Sequence, residues 1–500
     1  MSRPADYSAR EQALNPEQSF AVSAPAGSGK TGLLTQRVLK LLQHCEHPEE
    51  ILCITFTRKA AFEMSERILD ALQLAATEPE PSSGHAQLSW QLAHAVLARD
   101  AQKNWQLLQN PNRLRIQTID GLCRSIAKQL PLSSGLGALP DTLDLPEQAY
   151  TQAISDFLQL LKADTPAQAD LLRLLSHLDN NIDTLENLLM SLLAKRDQWI
   201  PHLLGARHDN ARNLLEETLE QLYGEHLNSC IAQLAPWASD LALAADFAGS
   251  NLANSNPSHA IAGCAGAAAL PSCQPADHSA WLSFLELLLT KKNLWRARIT
   301  KNEGYPADGD KTAKALVKLR KSELLKLIGE LQQQPGLLDK LQQLRELPPV
   351  RYSDKQWQLL DSLTNLLPQL AAYLRLSFQQ LGATDFSEIT QAALQALGSS
   401  EEPGDALLKL DYKIKHILVD EFQDTASPQM SLLQKLIQGW EHGDGRTLFI
   451  VGDGMQSCYG FRDANVGLFL EAHAHGIGNT ALNSLQLEVN FRSQGAVVEW

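Results

Sequence analysis

The sequence is poor in the features that mark small secreted, membrane and fibrous proteins. Its 500 residues hold seven cysteines with no Cys-x-x-Cys pair. That excludes a disulfide framework and reads as reduced cytosolic thiols. Long apolar runs are missing: the most apolar later stretch, Ala260 to Leu270, is too short and too rich in Gly and Ala to span a bilayer, and the start, MSRPADYSAREQ, lacks the apolar centre of a signal peptide. A cytoplasmic protein with no membrane partner is expected. Positive charge is also in deficit, with 43 Lys and Arg against 57 Asp and Glu. No global field draws such a chain to a polyanion, so any nucleic-acid site must be local.

What is present is an ordinary globular composition, 44% hydrophobic and 20% charged, which excludes collagen-like, coiled-coil and wholly disordered classes. The length sets a prior of about three domains. Six short runs rich in β-branched and apolar residues read as buried strands: Ser19 to Ser23, Ile51 to Thr55, Leu114 to Thr118, Ile414 to Val419, Leu448 to Val451 and Leu485 to Val489. Amphipathic patterns such as Arg58 to Gln73 and Pro428 to Ile437 follow most of them. Alternation of this kind predicts an α/β protein with a parallel doubly wound sheet, whose ligands sit beyond the carboxyl ends of its strands. The first three runs precede residue 120 and the fourth comes only near 414, with Leu-rich helical periodicity between them. A large all-helical insertion over 131–385 is therefore expected, splitting the sheet domain into 1–130 and 386–484. Residues 74–110 read as a smaller helical insertion, and Ala242 to Ala280, dense in Ala, Ser, Asn, Gly and Pro, reads as a flexible link.

The chemistry concentrates in a few segments. Ala24-Pro25-Ala26-Gly27-Ser28-Gly29-Lys30-Thr31 fits the phosphate-loop pattern GxxxxGK[ST], with Ala24 at the first glycine, between a predicted strand and a predicted helix. Backbone N–H groups there can cradle phosphates, Lys30 can neutralise β/γ oxygens and Thr31 can ligate Mg²⁺. Asp420-Glu421 ends another strand, a placement suited to a metal carboxylate followed by a water-activating one, although acidic pairs after strands also serve as helix caps. Gln456 just past a third strand can sense a γ-phosphate, while Tyr459 and Phe461 offer stacking faces or are core aromatics. Phe491 beside Arg492 suits adenine stacking and transition-state charge; in isolation Arg492 reads as a surface ion pair.

Ala24 to Thr31, Thr55 to Ala61, Thr118 to Cys123, Val419 to Thr425, Val451 to Arg462 and Glu488 to Ser493 occur in the order found in superfamily-one UvrD/Rep-type DNA helicases, and the chain resembles most the RecB/AddA branch, the motor subunits of helicase–nuclease complexes. The resemblance implies a RecA-like P-loop fold and ATP-driven, 3′-to-5′ movement on single-stranded or duplex DNA in repair or recombination, its possible partner being a nuclease subunit. It assigns Lys30 and Thr31 to phosphates and Mg²⁺, Asp420 to the metal, Glu421 to the attacking water, Gln456 to the γ-phosphate and Arg492 to a phosphate contact. Thr57, Lys59 and Thr118 would touch the strand backbone, with Tyr459 and Phe461 as stacking residues. Two positions depart from the UvrD and Rep pattern: Thr118-Ile119-Asp120 stands for the usual Thr-Phe-His, and Phe491 for a tyrosine. For the adenine-reading glutamine, Gln12 suits the distance better than Gln18. Residues 485–500 read as the start of a second RecA-like domain, and the chain as the front portion of a larger protein.

One feature stands apart from the resemblance. Residues 290–327 hold eleven Lys or Arg against four Asp or Glu, with Trp295 and Tyr305 among them. This is either a solvated face or the electrostatic footprint of a DNA-binding insertion. Two further readings compete with the motor: a binding module that holds nucleotide or DNA without unwinding, and a non-motor P-loop enzyme such as a small-molecule kinase. The long gap between Lys30 and Asp420 speaks against the kinase.

Overall fold

The apolar runs assemble as a six-stranded parallel sheet. The structure is a computed structural model that describes residues 5–82, 84–129, 140–143, 145–205, 211–306, 310–347, 350–398, 404, 407, 413–441, 443–455 and 465–491. The strands are β1 (Phe20–Ser23), β2 (Ile51–Thr55), β3 (Arg115–Thr118), β4 (His416–Val419), β5 (Thr447–Gly452) and β6 (Asn483–Gln486), in the spatial order β3-β2-β4-β5-β1-β6. Every residue of β2, β4 and β5 is buried, as their largely apolar sequences require of central strands, whereas β3 is half-buried and β6 is largely exposed at the two edges.

Successive residues of each strand point to opposite faces, and the two cores separate accordingly. Phe20, Val22, Cys53, Leu418, Phe449 and Val451 join one core with the helices α2 (Lys30–Leu42), α3 (Arg58–Thr77) and α4 (Gly84–Lys103). These follow a short first helix, α1 (Tyr7–Gln12). Ala21, Leu52, Ile54, Ile417 and Ile450 join the other core with α5 (Ile119–Gln129), α6 (Phe386–Leu397), α7 (Ser427–Ile437) and α8 (Val466–His475).

The chain divides into two units, residues 1–202 with 366–500, and residues 203–365. The insertion drawn from sequence over 131–385 is thus wider than the second unit, and the cause is a buried ion cluster. Arg196 donates to Asp385 at 2.5 and 2.8 Å and to Glu388 at 3.3 Å, while the Tyr150 hydroxyl donates to Asp385 at 2.6 Å. These contacts fasten residues 147–202 to α6. At the other end the sequence boundary before 485 also shifts: Phe20 pairs with Asn483 and Ser23 with Gln486, so the chain through Gln486 belongs to the first sheet.

The second unit is helical, with its own core around Trp281, Phe284, Leu227 and Leu341. The link expected over 242–280 is instead part of that core. Helix Ala238–Ser255 lies directly on the turn Ala260–Cys264, so close that a Cβ on Gly249 would fall 2.3 Å from the Ala265 nitrogen. Small residues are needed there because two backbones touch, which is a packing reason for a composition that resembles a linker.

Candidate nucleotide and DNA site

The loop after β1 is shaped by what holds its carbonyl groups. Ala24 N–H donates to Gly452 O at 2.8 Å, joining the start of the loop to the end of β5. The Asn490 side chain donates to Ala26 O at 3.2 Å, the Phe491 N–H to Gly27 O at 2.8 Å, and Arg10 to Ser28 O at 2.6 Å. With three consecutive carbonyls engaged and Gly29 at φ 80°, a conformation glycine adopts freely, the chain turns directly into α2. The first N–H groups of a helix have no intrahelical partner and attract anions. The buried Ser28 hydroxyl in this loop has no hydrogen-bond partner among the described residues.

The Lys30 ammonium lies 3.4 Å from Asp420 and 2.5 Å from Glu421. Asp420 extends β4 by donating its N–H to Ile54 O at 3.0 Å and is buried, so burial, with Glu421 alongside, raises its carboxyl above the usual range while Lys30 opposes the shift. Glu421 is held in the left-handed region at φ 52°. The side chain of Gln423 explains its aim: Nε2 donates to Glu421 at 2.8 Å, and Oε1 accepts from Asp453 N–H at 2.9 Å. A carboxylate tied to the strand end on one side and to Lys30 on the other is positioned, not merely exposed.

A magnesium ion suits these residues. Asp420 and the Thr31 hydroxyl are hard oxygen donors, and among the described residues no cluster of three His, Cys, Asp or Glu could hold a metal alone. Such a site is completed by substrate phosphates, which is how Mg²⁺ is commonly bound.

Thr57 stands two residues beyond the end of β2 and Thr118 is the last residue of β3, the register partner of Thr55. Thr57 caps α3 by accepting from Ala60 N–H at 3.0 Å, and Thr118 accepts from Gly121 N–H at 3.0 Å. Lys59 is 85% exposed, with Glu63 at 3.7 Å. The three candidates thus share the carboxyl edge of the sheet with Asp420, β2 lying between β3 and β4. Phe491 is exposed beside the loop, and Gln12 is exposed at the end of α1. Gln456, Tyr459, Phe461 and Arg492 lie outside the described residues.

Sequence reasoning missed Asp6, Arg10, Arg37 and Gln423. Asp6 accepts from Arg10 at 2.7 Å and from the N–H groups of Glu488 and Val489 at 3.2 Å; against the effect of burial, these donors hold its carboxyl below the usual range. Arg37 is fully buried against the rings of Phe20 and Phe449, at 5.5 and 5.4 Å, and donates to the carbonyls of Ala13, Asn15 and Gln18. Burial pushes its guanidinium down to about 9. Its signal was weak, a lone arginine on an apolar helix.

In the helical unit the two aromatics of the basic stretch differ in exposure, Tyr305 being buried and Trp295 partly buried. Tyr305 is buried, with its hydroxyl directed to Ala244 O at 3.4 Å, and Trp295 packs on the core. Arg296 is paired with Glu286 at 3.1 Å and Glu303 at 2.9 Å. Lys291, Lys292, Arg298, Lys311, Lys314 and Lys318 are exposed.

Residues 6–475 match the UvrD/REP helicase N-terminal domain, and the chain belongs to that family. It is similar to an ATP-dependent helicase/nuclease subunit of Lysinibacillus sphaericus (strain C3-41), 25% identical over 96% of this chain and 38% of that protein. The proteins of the same description from Bacillus cereus (strain B4264) and Anoxybacillus flavithermus (strain DSM 21510 / WK1) are each 26% identical over 96% of this chain and 37% and 38% of their own lengths. The chain therefore spans a little over a third of these relatives. No helix among the described residues is long and apolar enough to cross a membrane.

Proposed function

We propose that this chain is the ATP-binding part of an ATP-dependent DNA helicase or translocase of repair or recombination, moving 3′ to 5′ on single-stranded or duplex DNA in the cytoplasm, its candidate partner being a nuclease subunit. The observation that carries the reading is the convergence of Lys30, Asp420 and Glu421, with Thr57 and Thr118 at the ends of the neighbouring strands. The first three suit phosphoryl transfer; the last two suit contact with a strand backbone.

In this reading the loop N–H groups and Lys30 hold the β- and γ-phosphates, while Asp420 and Thr31 would hold Mg²⁺, which would neutralise phosphate charge. Glu421, aimed by Gln423, accepts the proton of the attacking water. Gln456 and Arg492 would sense the γ-phosphate and offset its developing charge, and Tyr459, Phe461 and Lys59 would hold the strand. Nucleotide-dependent change at the end of β4 would reach Thr57 and Thr118 through adjacent strands.

The test is ATP hydrolysis with and without single-stranded DNA. DNA should stimulate turnover, and Glu421→Gln should cut it by ~10²-fold or more while nucleotide affinity is kept, as expected for loss of a positioned base. Unaltered turnover in that variant would remove Glu421 from its role. Binding of ATP and DNA without stimulated hydrolysis would favour the binding-module reading.

A further inference from the structure

Three side chains from separate parts of the chain gather over the loop and the first turn of α2. Arg10, from α1, lies with its guanidinium carbon 5.1 Å from the centre of the Phe491 ring. Both border Gly29, where a Cβ would meet Phe491 at 3.4 Å and Arg10 at 3.6 Å. On the following turn a Cβ on Gly32 would fall 2.8 Å from Nε2 of His85. Gly32 thus leaves the space beside Lys30 and Thr31 to an imidazole that arrives from α4. The turn of α4 that carries it is anchored to α2: Gln36, one turn further along α2, donates to the His85 carbonyl at 3.4 Å and to the Ser89 hydroxyl at 3.0 Å. The ring is accessible at the surface, and its partial desolvation beside α2, with Arg10 nearby, lowers its affinity for a proton and favours the neutral form.

A triphosphate seated on the N–H groups of this loop leaves its nucleoside to lie against the surface next to the loop. The planar groups at that surface are a phenyl ring, a guanidinium and an imidazole, each able to stack on a base. We propose that His85, with Arg10 and Phe491, forms the base-side wall of the nucleotide site and contacts the purine of the bound triphosphate. The proposal rests on the nucleotide reading above and extends it to a residue on α4, outside the motif segments. Gly32 has a defined part in it, since any side chain there would displace the imidazole.

The test compares two probes on the 500-residue chain, ATP and inorganic tripolyphosphate, by equilibrium titration calorimetry. The parent should prefer ATP. His85→Ala should weaken ATP by about 10-fold and leave tripolyphosphate unchanged, the size expected for one stacking contact. His85→Phe should restore most of the loss, a rescue that a purely structural role in seating α4 would not give. Should His85→Ala fail to fold, Gly32→Ala carries the same expectation, because its methyl group enters the space of His85. Equal loss for both probes, or no loss for either, overturns the proposal while the nucleotide reading stands. A parent chain that binds neither probe overturns both.

Discussion

The sheet unit and the helical unit bury apolar surface by opposite means. In the first, strand residues alternate between two cores, Phe20 and Val22 to one and Ala21 to the other, and large side chains fill the space between layers. In the second, helix Ala238–Ser255 meets the turn Ala260–Cys264 backbone to backbone, with Gly249 at the contact. The difference teaches that a run of small residues is ambiguous in a sequence. It marks a linker where nothing faces it and the tightest packing where a second backbone does.

The largest expected effect tests which helices belong with the sheet. Arg196→Ala leaves Asp385 buried without its cation and should cost ~3–5 kcal/mol, measured by chemical denaturation. Loss of nucleotide binding should track the unfolding, because residues 147–202 are fastened to α6 of the same unit. The same cluster gives an acid dependence. Although burial acts the other way, Arg196 and Tyr150 hold the Asp385 carboxyl below its ordinary 3.8. Its contribution is complete above that value and is lost as pH falls through the lower folded-state value. In Arg196→Ala this acid-linked loss should shrink, and an undiminished loss would place its origin elsewhere.

A smaller effect tests the helical unit. Gly249→Ala forces a methyl group against backbone and should cost ~1–3 kcal/mol, the range for overpacking. A variant as stable as the parent would mean that the helix and turn part without penalty, as a linker would. The smallest effect concerns charge. Replacing Lys291, Lys292 and Arg298 together with Gln should lower DNA affinity and flatten its salt dependence by roughly 0.7–0.9 in log–log slope per lost contact, measured by fluorescence anisotropy at several salt concentrations. Arg296→Gln should act differently, reducing stability more than the salt slope, because Glu286 and Glu303 already neutralise it. An unchanged slope in the triple variant would make the stretch a solvated face.

Much of the sheet unit was legible because its signals are local. Ile51 to Thr55 is a strand with the bounds read from its apolar run, and Lys30 meets Asp420 and Glu421 as a loop and a strand end of that pattern should. The edge strand was read two residues late, since Asn483–Gln486 is fixed by pairing with β1 and not by apolar content of its own. Gln423 lay within a segment singled out by sequence, but its role depends on the left-handed turn at Glu421 and on Asp453 from another strand. Apart from the Asp6–Arg10 pair, Arg10, Arg37 and Asp6 act on partners distant in the chain, and no periodicity announces those contacts. The burial of Tyr305 within the basic stretch was not legible, because a basic neighbourhood says nothing about which ring is buried.

The segment after β6 has a mechanical consequence. From Asn483 to Phe491 it runs parallel to residues 19–27, hydrogen-bonded first to β1 and then to the loop itself, through Asn483 N–H to Ser19 O at 3.0 Å, Leu487 N–H to Ser23 O at 2.8 Å and Phe491 N–H to Gly27 O at 2.8 Å. Tension applied beyond Phe491 along this direction loads those bonds in shear, so they share the force instead of opening one at a time. The first atom group to feel it is the Gly27 peptide, which is part of the cradle. Traction on the backbone at Phe491 would therefore bear directly on the loop at Gly27.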